Sequence, residues 1–143
     1  MKQIKLLVSN LMNTVIMGTN GNNVLANQLP MTIKSFITNQ FQGKSIAFVE
    51  KNNESQQFLY EVSLNDGTQI NFNDKGEWTK ITNEMGSIPT SMYPSAINHF
   101  VYSCFPEATI VMVTKRTFGY MIGLSNAITV KFNNEGLIYG LNS

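Results

Sequence analysis

Two stretches of the chain place apolar residues along one side of a helix, and the residues after each stretch alternate in steps of two. In the later stretch Ile97, Phe100, Val101, Cys104 and Phe105 recur at i, i+3, i+4, i+7 and i+8, the spacing of one helical face. Pro94 opens it in the first turn, where a fixed φ and a missing N–H do no harm, and Pro106 stops it. Pro30, Ile33, Phe36, Ile37 and Phe41 repeat the arrangement earlier, with Gly43 as the exit. Beyond the first helix, Phe58, Tyr60, Val62 and Leu64 alternate with polar Glu61 and Ser63, as Ile70 and Phe72 do with Asn71. That is the pattern of strands with one buried face. Asn65-Asp66-Gly67 is a hairpin turn, because these residues tolerate positive φ. Asn73-Asp74-Lys75-Gly76 and Asn133-Asn134-Glu135-Gly136 mark later turns.

The two halves align on each other. A shift of 64 carries Pro30, Ile33, Phe36, Phe41, Ile46, Val49 and Lys51 onto Pro94, Ile97, Phe100, Phe105, Ile110, Val113 and Lys115. A shift of 60 carries Phe58, Tyr60, Leu64, Phe72, Asn73 and Gly76 onto Phe118, Tyr120, Leu124, Phe132, Asn133 and Gly136, with Ile81 onto Leu141. The change of offset places four extra residues in the first copy's loop around Asn52 to Gln57. An internal repeat of this kind decides the fold. The expectation is an α+β, two-layer tandem duplication of a helix-plus-four-antiparallel-strand unit: repeat 1 over 27–82, a linker over 83–92, repeat 2 over 93–143. Each amphipathic helix covers the apolar face of its own meander, and the other sheet face stays open.

The tandem pattern of a proline-started helix, Tyr60-Glu61-Val62-Ser63-Leu64, Asn65-Asp66-Gly67, Ile70-Asn71-Phe72-Asn73 and Gly76-Glu77-Trp78 resembles the β-lactamase-inhibitor-like, PepSY-like family of small periplasmic bacterial proteins. Tyr120-Met121-Ile122-Gly123-Leu124, Val130-Lys131-Phe132-Asn133 and Gly136 carry it in the second copy, so the resemblance covers residues 29–142. It implies a duplicated fold and export, with no established activity and no site residue, because the shared motifs are core and turn positions. Likeness of fold does not carry function. In the second copy Ser125-Asn126-Ala127 stands where the turn glycine is expected, and Ile138 where the tryptophan is.

Residues 1–26 read as an export signal: Lys2 and Lys5, a mostly apolar run from Leu6 to Gly18, then Val24-Leu25-Ala26 as a small-residue cleavage pattern. Cleavage would remove two lysines and no acid, moving the formal charge from +1 to −1. The expected location is therefore periplasmic or otherwise exported, and cytoplasmic if residues 1–26 are not a signal. No run of about 18 apolar residues is present, so no membrane span is expected. With 13% charged residues, a net charge of +1 and no basic run, the footprint of a nucleic-acid binder is missing.

Side-chain chemistry argues for a non-enzymatic domain with no cofactor and no metal. His99 is the single histidine and lies beside the apolar stripe; Cys104, the single cysteine, lies on it and is expected as a small buried apolar residue. Neither has partners at triad or zinc spacing. Asn73-Asp74-Lys75-Gly76-Glu77 lacks the acid spacing of a calcium loop and reads as a turn. Trp78 is expected as a large core side chain. The informative feature is an asymmetry of the outward sheet faces. The first copy shows Glu61, Ser63, Asn71 and Asn73, an ordinary solvated face. The second shows Gly119, Met121, Gly123 and Ser125, with Tyr139 on the neighbouring last strand. Glycines remove side chains and Met121 adds a soft apolar surface. Gly119, Met121, Gly123 and Tyr139 are thus the candidate contact residues for a protein or peptide partner, making the chain an exported binding module, with inhibition of an envelope enzyme as one form of that role. The alternative is a small-molecule or peptide binder with a pocket at the repeat junction, lined by Tyr93, Tyr102 and Trp78.

Overall fold

A computed structural model describes residues 23–24, 26–52 and 59–142. Most of the expected export signal and the loop that holds the four extra residues lie outside the described residues. The chain divides into two compact units, one ending at Thr79 and the other beginning at Lys80. Both contain a helix and antiparallel strands, and the protein is α+β.

In the first unit β1 (Asn23–Val24), β2 (Ile46–Lys51), β3 (Tyr60–Leu64) and β4 (Gln69–Phe72) pair antiparallel in chain order. Helix α1 (Met31–Gln40) starts after Pro30 at the N-cap, one step earlier than the first-turn place its sequence suggests. It ends where the Phe41 N–H donates to the Ile37 carbonyl (2.9 Å) and Gly43 turns the chain at φ +82°. The alternation predicted for the strands appears as burial: Val62, Ile70 and Phe72 are fully buried with Ile33. Each such side chain contributes about 1.5–3 kcal/mol relative to exposure. The Phe36 ring meets Phe72 edge-on at 5.6 Å and fixes α1 over β4.

The second unit has the same components. The last three residues of β5 (Trp78–Thr82) pair with β6 (Ile110–Arg116), followed by β7 (Gly119–Leu124), β8 (Thr129–Asn133) and β9 (Ile138–Asn142), all antiparallel. Helix α2 (Ser95–Cys104) follows Pro94, and Phe100 meets Phe132 edge-on at 5.5 Å. Local detail repeats too. A register shift falls between Ile46 and Phe48 in β2 and between Ile110 and Met112 in β6. Gly76 and Gly136 have φ +81° and +90°, and a Cβ on them would come within 2.5 Å of Thr32 Oγ1 and 2.9 Å of Ala96 Cβ respectively. Only glycine lets this turn lie against the start of the helix.

The hairpin turns show what the sequence difference costs. Asp66 accepts from the Thr68 N–H at 3.0 Å and pairs with Lys44 at 3.3 Å. Burial pushes its carboxyl up, but the Thr68 and Lys44 contacts together outweigh burial and hold it below 3.8. The stabilisation is present above that value and is lost as acid titrates the group at its lower folded value. In the second unit Asn126 Oδ1 accepts from the Ile128 N–H at 3.1 Å, so the turn keeps its shape. Ala127 pays with a φ of +72°, against +93° at Gly67. Replacing Ala127 with Gly is expected to stabilise the protein by about 1 kcal/mol, since left-handed backbone costs a non-glycine roughly 1–2 kcal/mol. A urea titration comparing the two midpoints at constant slope checks this.

Three expectations change. Cys104 is exposed, because α2 ends there and Phe105, 6.4 Å from Phe100, takes the last covered position. Ser63 is buried rather than outward-facing in solvent, paired with an equally buried Phe48, and its hydroxyl has no partner among the described residues. Trp78 is half-buried. His99 is exposed, as its place beside the stripe implies. The Asn73 and Asn133 side-chain oxygens each accept two backbone N–H groups of their own turn, at 2.9 and 3.0 Å.

A candidate partner-binding face on the second unit

The strand register assigns each residue of the second unit to a face. Ile81, Val113, Ile122 and Val130 pair successively and are fully buried. Since neighbours along a strand point to opposite faces, the next pairing row lies on the other side: Lys80, Thr114, Met121, Lys131 and Gly140. Arg116, Gly119 and Asn133 form a row on one side of it, and Thr82, Met112, Gly123, Thr129 and Asn142 a row on the other.

This face brings Gly119, Met121 and Gly123 together as the sequence suggests. Gly119 and Gly123 are buried backbone, Met121 is half-buried and Met112 lies opposite Gly123. A Cβ on Gly123 would stand 3.1 Å from Met112 Cβ, so the glycine leaves the methionine its room. Tyr139 is 63% exposed but does not join the Met121 row. A register shift between Lys131 and Phe132 sets Gly140 opposite Lys131 and Ile138 opposite Phe132, leaving Tyr139 at the irregularity on the edge strand.

The register adds what the sequence reading left out, three cations. Lys80, Arg116 and Lys131 all occupy this face, and no carboxylate shares the three rows. Arg116 Nη2 lies 3.7 Å from Met121 Sδ, laying a charged group beside the soft sulfur. Lys80 and Lys131 are three strand steps apart in one row, about 14 Å at the usual strand spacing. Lys131 could have been found earlier, since it lies between inward Val130 and Phe132; Lys80 could not, because it needed the β5–β6 pairing.

A cleft of about 220 Å³ lies elsewhere in the second unit, lined in part by Ile88, Tyr93, Asn98, Tyr102, Thr109 and Ile110. Tyr93 and Tyr102 both line it, but Trp78 does not and every lining residue belongs to the second unit, so this is not the repeat-junction pocket of the alternative reading. Burial raises the Tyr93 phenol above 10.0, so it remains a neutral donor at physiological pH. The aligned first-copy residues are Leu29 and Thr38, so the aromatic lining belongs to the second copy alone. Among the described residues no group of three or more His, Cys, Asp or Glu is placed to hold a metal ion, and no helix is long and apolar enough to cross a membrane.

The family model described as "Putative beta-lactamase-inhibitor-like, PepSY-like" matches residues 16–58 and 58–139. The chain belongs to this PepSY-like family. Three crystal structures have the same fold. One, from Bacteroides thetaiotaomicron, described as a "putative calcium-regulated periplasmic protein", is 23% identical with a TM-score of 0.76, covering 85% of this chain and 96% of that one. Two from Bacteroides vulgatus are described as a "putative periplasmic protein". They are 28% and 24% identical with TM-scores of 0.73 and 0.71, covering 82% and 88% of this chain and 94% and 100% of theirs. No functionally curated protein matches the chain. Membership in the PepSY-like family accounts for the core and turn motifs. Met121, Gly123 and Lys131 lie within the Tyr120–Leu124 and Val130–Asn133 segments that carry the resemblance, at positions between its core residues.

Proposed function

We propose that this PepSY-like protein is an exported, non-catalytic binding module, built from two copies of one helix-plus-four-strand unit, and that it holds a protein partner on the open sheet face of the second. The observation that carries this reading is the face itself. Met121 and Met112 lie over glycine-flattened backbone, flanked by Lys80, Arg116 and Lys131 with no carboxylate among them. An adaptable apolar centre with a charged rim is the composition of a contact surface, and three like charges favour an acidic partner. Export is supported by the reading of residues 1–26 and by the periplasmic description of all three similar structures. The inhibitor-like description of the family makes an envelope enzyme the partner to test first.

The test is affinity capture from an envelope fraction at low and high salt, with the protein and a Met121→Glu variant as baits. The expected result is a protein retained by the first bait, released by salt and held at least about tenfold more weakly by the variant, since truncating or reversing a central contact costs upwards of about 1.4 kcal/mol. Equal retention by both baits would move the site off this face. The cleft supports a second reading, a small ligand or a peptide side chain seated between Tyr93 and Tyr102. A ligand that perturbs Tyr93 while leaving Met121 untouched would favour it.

A further inference from the structure

The cleft of the second unit has an apolar floor, a polar rim and an uncharged lining. Ile88, Val101 and Ile110 are its buried side, Asn98 and Tyr102 line it as exposed residues, and no Lys, Arg, Asp, Glu or His is among its described lining residues. Asn98 and Tyr102 stand four residues apart on α2 and so share one helix face. Tyr93 is only 7% exposed, and its hydroxyl makes no hydrogen bond among the described residues. A buried tyrosine usually finds a partner for that group. Ser63 holds the one fully enclosed side-chain oxygen without a partner among the described residues. The Tyr93 oxygen is therefore open to solvent, and the cleft is the opening that Tyr93 lines. The Asn98 amide is likewise without a hydrogen bond among the described residues, which leaves its two donors and its acceptor for a ligand. In the first copy the residues aligned with Tyr93, Asn98 and Tyr102 are Leu29, Lys34 and Thr38, and Lys34 donates to the Asn27 carbonyl at 3.4 Å. The neutral, tyrosine-rich set belongs to the second copy alone.

We propose that this cleft binds one uncharged sugar ring, a hexose that is either free or the end unit of a glycan. The proposal rests on the cleft reading given above and adds the class of ligand. Charge sets the first condition. A carboxylate, phosphate or ammonium group carried into the cleft would lose water and meet no counter-ion among the lining residues. Hydrogen bonding sets the second. Sugar hydroxyls donate and accept at one atom, which matches a phenol and an amide that also do both, whereas a purely apolar ligand would leave the Tyr93 hydroxyl and the Asn98 amide unpaired. Size agrees: about 220 Å³ lies below the roughly 300–1,000 Å³ of sites for drug-sized ligands and suits a single ring. Tyr102, 76% exposed, supplies the remaining element. The face of an aromatic ring is its negative side, and the weakly positive C–H groups on one face of a pyranose stack against it.

Nuclear magnetic resonance of the full chain, reading the Asn98 side-chain amide and the Tyr93 and Tyr102 rings, tests this. The probes are glucose, galactose, mannose and N-acetylglucosamine, their methyl glycosides as the glycan-linked form, and glucuronic acid and glucosamine as charged counterparts. N-acetyltyrosine amide stands for a peptide side chain. At least one neutral sugar should shift all three sets of signals saturably, in about the millimolar range of a small polar ligand. The charged sugars should bind at least about tenfold more weakly than that sugar. A methyl glycoside that binds as well as the free sugar assigns a glycan end, and one that binds worse assigns the free sugar. Asn98→Leu and Tyr102→Ala, both at exposed positions, should leave the circular dichroism spectrum unchanged and each weaken binding at least about tenfold. The Met121 methyl signal should stay in place, which keeps this site apart from the sheet face. No saturable shift from any neutral sugar up to about 50 mM, well above that range, overturns the proposal. A charged sugar that binds as well as the neutral one overturns it too, as does binding indifferent to both variants. If the tyrosine amide alone shifts the signals, the sugar is the wrong class and the cleft remains a ligand site; if no probe shifts them, both readings fall.

Discussion

Replacing Gly119 with Ala should destabilise the protein by about 3 kcal/mol or more, at the upper end of what overpacking costs. A Cβ at Gly119 would overlap the Phe132 carbonyl oxygen and stand 2.7 Å from Asn133 Cα. Both obstacles are backbone of the paired strand β8, so no rotamer change relieves them and β7 must move away from its neighbour. Gly123, four residues on and on the same face, is the internal control. There the added atom would meet Met112 Cβ at 3.1 Å and Cε at 3.2 Å, contacts that a shift of a few tenths of an ångström relieves, and Gly123→Ala should cost clearly less than Gly119→Ala. Equilibrium urea unfolding separates the two outcomes. Similar losses at both sites would mean that the Gly119 contact is not as close as the structure has it.

The second large effect is in the core. Phe132 is fully buried and in edge contact with Phe100; Phe72 is fully buried and in edge contact with Phe36. Truncating either to Ala should cost about 3–5 kcal/mol through lost transfer energy and the cavity left behind, a large share of the roughly 5–15 kcal/mol that holds such a protein together. Because the ring contacts match, at 5.6 Å and 86° in the first unit and 5.5 Å and 81° in the second, the two losses should agree within about 1 kcal/mol. Midpoints and slopes from urea titration measure both. A large loss at one phenylalanine and a small loss at the other would show that the two units do not share one packing design.

These residues also mark how far the sequence could be read. Phe72 and Phe132 were legible as core because a strand with one buried face alternates in steps of two, and the repeat supplied each with a second witness. The hairpins were legible because positive φ restricts residue choice. Ala127 shows the limit of that rule, for Asn126 and the paired strands hold the turn where no glycine is present. Gly119 was visible as a residue without a side chain, but its necessity was not: the aligned residue is Leu59, which carries a side chain and lacks the φ of +157° found at Gly119. Cys104 was misplaced because helical spacing says which side a residue faces and not where the helix stops. Alternation put Met121 outward correctly. Tyr139 is exposed, and the register shift opposite Phe132 leaves it outside the paired rows, which the count of two does not foresee. Of the cations on the candidate face, Lys131 follows from the alternation around Val130 and Phe132, whereas Lys80 needed the pairing of β5 with β6, which one chain's periodicity does not contain. The Tyr93–Tyr102 cleft was legible only as two tyrosines near one helix.

The most direct measurement is a methyl spectrum of the protein, labelled at its methionines, before and after adding the retained envelope protein. Met112 and Met121 lie on the open face, while Met31 and Met85, 69% and 80% exposed, lie elsewhere and report unspecific contact. The Met112 and Met121 methyl signals should shift or broaden, and those of Met31 and Met85 should stay in place. Unchanged Met112 and Met121 signals in the presence of bound protein would contradict the sheet-face reading.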